Sequence, residues 1–171
     1  MSSVAVDAPT AGGPAALARL LALLLPAALL AGAFGSQYFG GLYPCEMCWW
    51  QRYAHFAALI PAALAFTAPA NSARGRMFVL LAALGIAVSG VIGVYHAGVE
   101  AKVFQGFTTC TALSNTTNTA DLLKQIVNAP LIRCDQVQWS FLGISLAGWN
   151  AIISLGGAAA ILLLTLKGRR A

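Results

Sequence analysis

Four apolar stretches, about residues 16–34, 49–69, 77–95 and 141–166, take up about half of this chain and hold very few charges. A helix needs about 20 apolar residues to cross the hydrocarbon core of a bilayer, so each stretch is expected to span a membrane. Only 9% of residues are charged and 59% are hydrophobic, whereas soluble domains carry roughly 25% charge. Too few charges remain to cover a water-facing surface. The predicted fold class is an all-α integral membrane protein: an antiparallel bundle of four transmembrane helices, with loops 35–48 and 96–140 on one side. At 171 residues, no length is left for a separate soluble domain.

Residues 1–15 are small, polar or turn-forming and are expected to be a disordered tail; 167–171 form a second short tail. The first apolar stretch also has a signal-peptide reading, with Arg19, a Leu-rich core and Ala31-Gly32-Ala33 as a cleavage site. Against it, the stretch runs on through Gly35 and Phe39, and further spans follow. The net charge of +5 does not point to nucleic acid, because the basic residues are spread along the chain. Their sidedness is informative. Arg19, the Arg74/Arg76 loop and Lys167, Arg169 and Arg170 fall on one side of the predicted bundle. By the positive-inside rule that side is the cytoplasm. Lys102, Lys124 and Arg133 in the long loop are offset by Glu100, Asp121 and Asp135. All four cysteines, Cys45, Cys48, Cys110 and Cys134, then face the outer compartment, where disulfides persist.

The chemistry concentrates in Pro44-Cys45-Glu46-Met47-Cys48-Trp49-Trp50-Gln51-Arg52. If Trp49 onward is helical, Cys48 lies at a helix N-terminus, where unpaired N–H groups and the dipole favour a thiolate. Arg52 follows four residues later and shares its face. Trp49, Trp50 and Tyr53 suit an aromatic belt at the membrane surface. The Cys45–Cys48 loop is a weak staple: closing about four residues restrains the unfolded chain by about 2 kcal/mol, against about 3.5 for Cys110–Cys134. A redox role is therefore favoured for the first pair. The second pair is equally well read as a structural staple.

Three other readings stand beside this one. Cys-x-x-Cys is also a metal-binding spacing, and His96 could join it, but the second cysteine pair is wider than common zinc motifs; no metal is expected. Arg52 could snorkel to the interface, although an intramembrane charge is by default a functional candidate. Its five donors suit a polar carbonyl ligand. His96 and Glu100 lie four apart at the exit of the third span, at the depth of Arg52 and Cys48, where a histidine can touch a ligand or move a proton. His55 reads as helix packing. Within the long loop, Thr119–Asn128 reads as a short amphipathic helix capped by Thr119, with Leu122, Leu123, Ile126 and Val127 on one face. No nucleotide fingerprint, paired-histidine haem arrangement or flavin domain is present, so a lipid-soluble quinone is the electron acceptor that fits.

Several blocks in order resemble the DsbB family of bacterial disulfide bond formation proteins. They are the 44–52 stretch, Tyr95-His96-Ala97-Gly98-Val99-Glu100, Thr108-Thr109-Cys110, Cys134-Asp135 and Trp139 through Asn150. The similarity runs from about Leu20 to the C-terminus. It implies a four-helix inner-membrane enzyme with periplasmic cysteine loops and cytoplasmic termini, which reoxidises a DsbA-like periplasmic thioredoxin-fold protein and reduces ubiquinone or menaquinone. It further implies that the partner's thiolate attacks Cys110, that released Cys134 attacks Cys45, and that released Cys48 meets the quinone. Arg52, His96 and Glu100 fall at quinone-site positions; Glu100 departs from the glutamine of the best-known members. The alternatives are a vitamin-K-epoxide-reductase-like enzyme, in which Cys-x-x-Cys comes late in the chain, and a scaffold with structural disulfides or a metal.

Overall fold

The structure, a computed structural model, describes residues 13–106, 118–120, 123 and 132–168. Cys110 and most of the expected 119–128 helix lie outside the described residues. Four long helices carry the fold: α1 (Pro14–Tyr38), α2 (Glu46–Leu64), α3 (Ala73–Glu100) and α4 (Leu146–Lys167). A 3-10 turn, Ala65–Thr67, prolongs α2, and a small hairpin of β1 (Ser140–Phe141) and β2 (Ile144–Ser145) precedes α4. Helices α1, α3 and α4 are long and apolar enough to cross a membrane. Helix α2 is less apolar, because it carries Glu46, Gln51, Arg52 and His55.

Each helix starts where the sequence provides a cause. Pro14 opens α1, where its missing N–H costs nothing. Ser72 caps α3 by accepting the Gly75 N–H at 3.0 Å, and Ser145 caps α4 by accepting the Gly148 N–H at 3.1 Å. Cys45 is the N-cap of α2, so Cys48 lies within the first turn rather than at the start. Helix α3 continues through His96 and Glu100, residues expected in a loop. The fourth apolar stretch, expected as helix from 141, begins with the hairpin instead. Phe141 pairs with Ile144, and the turn needs positive φ at Leu142 (52°) and Gly143 (78°). A right-handed helix cannot run through those residues, and Ser145 starts it afresh. In the long loop the cap is Asn118, not Thr119: its side chain accepts the Ala120 N–H at 3.1 Å.

The helices pack as antiparallel neighbours around a ring. Arg19 near the start of α1 donates to the Ala68 carbonyl after α2, and Arg52 near the start of α2 donates to Ala33 near the end of α1. The end of α3 meets the start of α4 so closely that a Cβ on Gly93 would come within 3.0 Å of the Ala147 carbonyl. The interior is built from small residues, among them Ala18, Ala22, Ala58, Ala62 and Ala82, with Ile86 and Ile161 between them. Large residues such as Leu24, Ile60, Leu84 and Leu163 point outward, 58–66% exposed. Small inside and large outside suits helices packed in lipid, where burying apolar surface brings no gain over the surroundings. Arg19, Arg74, Arg76 and Lys167 gather at one end of this bundle; Cys45, Cys48, His96, Glu100 and Cys134 lie at the other.

Candidate active site

Cys45 is the meeting point of the sulfurs. Its Sγ is 3.1 Å from Cys48 Sγ and donates its S–H there, while the Cys48 N–H donates back to it at 3.4 Å. Cys134, from the far end of the long loop, is fully buried in the same cluster with Cys45, Met47 and Val99. Its contact favours the Cys45 thiolate, but the Cys48 sulfur and burial outweigh it and push the Cys45 thiol up to about 12. At neutral pH Cys45 therefore keeps its proton and shares it with Cys48. Cys48 is the more accessible of the two.

His96 is held above Cys45 by a buried chain of amides that crosses three helices. Asn150 Nδ2 donates to the Ser89 carbonyl, a pure acceptor, and to Gln51 Oε1 at 2.8 Å. Gln51 Nε2 must then face the Met47 carbonyl at 3.2 Å and His96 Nδ1 at 2.9 Å. Nδ1 accepts, so the ring proton is on Nε2. Nε2 lies 3.6 Å from Cys45 Sγ and 3.8 Å from Glu100 Oε1. His96 thus presents a donor, not a lone pair, to the sulfur. Cys45, Cys48 and His96 do place ligand atoms within 4.8 Å of one another, a spacing a metal ion can use. Ligation through Nε2 would require Gln51 to turn over and abandon both Met47 and Asn150. His55, expected as packing, joins the same network through Asn150 and Ser89.

Arg52 makes the opposite wall. It does not snorkel: it is 6% exposed, donates to Gln37 Oε1 at 2.6 Å and to Ala33 O at 2.9 Å, and lies over the rings of Phe34 and Trp49. Between the walls is a cavity of about 300 Å³, which Cys48, Arg52, His96 and Glu100 all line. Its third side is apolar, supplied by Leu29 and Leu30 of α1 and Ile153 of α4.

The Cys134 segment is held by surface contacts. Lys102 donates to Asp135 at 2.7 Å, Arg133 grips the same carboxylate with two N–H groups, and Gln138 donates to the Tyr43 carbonyl. Arg133, and then Lys102, hold the Asp135 carboxyl well below the usual carboxylate range. The structure thus brings together Cys45, Cys48, Cys134, Arg52, His96 and Glu100; Cys110 lies outside the described residues. Gln37, Gln51, Ser89 and Asn150 were not foreseen. Polar side chains inside apolar helices were the available signal, since such groups are costly unless paired.

The family model for the disulfide bond formation protein DsbB matches residues 15–164. The chain belongs to the DsbB family. Proteins named disulfide bond formation protein B are similar to it along most of their length. That of Shewanella sp. (strain MR-4) is 33% identical over 141 residues, covering 80% of this chain and 78% of the relative. That of Acidovorax sp. (strain JS42) is 32% identical over 167 residues, covering 89% of each. That of Xanthomonas oryzae pv. oryzae (strain MAFF 311018) is 30% identical over 157 residues, covering 88% of this chain and 90% of the relative. No solved structure matches. DsbB membership removes the vitamin-K-epoxide-reductase-like alternative.

Proposed function

We propose that this chain is a multi-pass inner-membrane oxidoreductase that forms disulfides and passes the electrons to a membrane quinone, ubiquinone or menaquinone. All four helices cross the membrane, α2 included, with its polar residues turned to the bundle interior. The basic end faces the cytoplasm, and the cysteine end faces the periplasm, where a DsbA-like thioredoxin-fold protein is reoxidised.

The observation that carries this reading is the position of Cys45, bonded to Cys48 through hydrogen and packed against Cys134. One sulfur in contact with two others can exchange its partner without a large motion. Partner thiolate attacks Cys110, and the released Cys134 thiolate attacks Cys45. Cys48 then leaves, its charge favoured by the first-turn N–H groups of α2. The cavity fits a quinone: an apolar wall for ring and tail, a buried cation for a carbonyl oxygen, and a sulfur at the rim. A quinone bound there accepts two electrons and two protons. Arg52, tied to α1, holds its charge in place before the reaction and stabilises negative charge on the acceptor's oxygen. His96 donates toward Cys45 and keeps the sulfur oriented.

The test is quinone absorbance during turnover, with purified protein supplied with a reduced thioredoxin-fold dithiol. Cys48→Ser should abolish turnover while leaving a folded protein. Turnover that persists in Cys48→Ser removes that residue from the path.

A further inference from the structure

We propose that Glu100 is the proton carrier of the cysteine pair: its carboxylate takes the proton that Cys45 releases as the Cys45–Cys48 disulfide forms. The onward destination of that proton rests on the quinone reading above.

Four observations lead here. The Glu100 side chain is 9% exposed, yet its Oε2 is buried with no hydrogen-bond partner. A carboxylate oxygen left unpaired away from water is costly, so the position calls for a proton or a mobile partner. Glu100 is also the sole carboxylate lining the cavity among the described residues. Its Oε1 is 3.8 Å from His96 Nε2, the same atom that lies 3.6 Å from Cys45 Sγ. Finally, His96 cannot take the proton itself, because Gln51 fixes Nδ1 as the acceptor and leaves Nε2 already protonated.

The other candidates fail on chemistry or distance. Arg52 and Arg133 have no acceptor atom. Tyr43 at the rim is a phenol, 61% exposed to solvent. His55 lies two turns beyond Cys48, about 10 Å along α2, and is bonded to Asn150 and Ser89. Cys48 receives the Cys45 hydrogen bond but is the atom with which Cys45 must form its new bond. Glu100 remains, its Oε1 beside the same His96 Nε2 that lies against Cys45 Sγ, within the reach of one bridging water. The balance closes: the two thiols lose two electrons and two protons and gain one S–S bond. Cys45's proton passes through Glu100 toward the acceptor, and Cys48's goes to solvent on ionisation. A quinone bound here would take up one proton from each source with the two electrons, leaving as quinol.

The test uses full-length protein in detergent, a reduced thioredoxin-fold dithiol and a short-chain ubiquinone analogue. Glu100→Gln should lower kcat by roughly 100-fold with the quinone KM unchanged, and should erase the acidic limb of the pH–rate profile. Glu100→Asp should recover part of kcat. Wild-type kcat in Glu100→Gln, or a raised KM with kcat intact, overturns the proposal. A second measurement needs no quinone: the infrared difference spectrum between the dithiol form, made with dithiothreitol, and the disulfide form, made with diamide. A carboxylic-acid C=O signal should change in wild type and be missing from Glu100→Gln. If wild type reduces no quinone but shows this signal, the quinone reading falls and the Glu100 assignment stands. Without the signal, the assignment falls.

Discussion

Gln51 and Arg52 are neighbours in sequence, yet they build opposite walls of one cavity. About 100° of helical rotation separates them. Gln51 turns to α3 and α4, where it holds His96 and Asn150; Arg52 turns to α1, where it holds Gln37 and the Ala33 carbonyl. The first wall is built on amides, and their hydrogen bonds leave His96 no free choice of tautomer. The second is a single cation braced by two aromatic rings. Adjacent positions on one helix thus serve the two sides of the cavity, the sulfur side and the α1 side. The difference also shows why a cavity so close to the helix ends is stable: its amides and its cation are anchored away from the space they line.

The comparison can be broken at either wall. The largest expected effect is at Arg52. Arg52→Ala removes a buried charge-assisted donor, about 2 kcal/mol, which is roughly 30-fold in the quinone KM. The KM for the protein dithiol should stay put in steady-state assays; a shift there instead would move Arg52 from acceptor binding to partner binding. At the other wall, Gln51→Leu strands His96 Nδ1 and Asn150. It should lower stability by about 1–3 kcal/mol, read as a drop in Tm in detergent, with the quinone KM little altered. An unchanged Tm would mean that the amide chain does not hold His96.

Much of this was legible in the sequence. The apolar stretches, the sidedness of Arg19, Arg74 and Arg76, and the Cys-x-x-Cys with Arg52 one turn on are all local patterns, and local patterns survive in a linear reading. The amide chain was not legible, because Gln51 meets His96 and Asn150 only after three helices pack. Ser89, Asn150 and Ser154 did carry a signal as polar residues in apolar helices, but nothing local says which partners they find. The hairpin was hidden for another reason. Phe141, Leu142 and Ile144 look like the start of a span, and only a backbone with positive φ at Leu142 and Gly143 reveals the turn.

A smaller effect is expected at the Cys134 segment, where the holding contacts are exposed rather than buried. The Asp135 partners Lys102 and Arg133 are 63% and 51% exposed, so Asp135→Asn should cost no more than about 1 kcal/mol. Arg133 and Lys102 depress the Asp135 carboxyl in the folded protein, so its contribution is full above the unfolded carboxylate range, about pH 4. It is lost as pH falls toward the folded value. The Tm gap between wild type and Asp135→Asn should therefore be present near about pH 6 and shrink below about pH 4. A gap that is flat with pH would show that the ion pairs do not hold this segment.

The central claim is that Cys45 is the sulfur that changes partners between Cys48 and Cys134. Its most direct test is disulfide mapping by mass spectrometry of Cys48→Ser protein mixed with a thioredoxin-fold dithiol oxidase, quenched with acid and alkylated. The account predicts a Cys45–Cys134 linkage, formed as the Cys45 thiolate displaces Cys110 from the Cys110–Cys134 disulfide and leaves Cys110 as a free thiol, since removing Cys48 leaves Cys45 with the sulfur packed against it. Finding Cys134 joined only to Cys110, with Cys45 alkylated throughout, would contradict it.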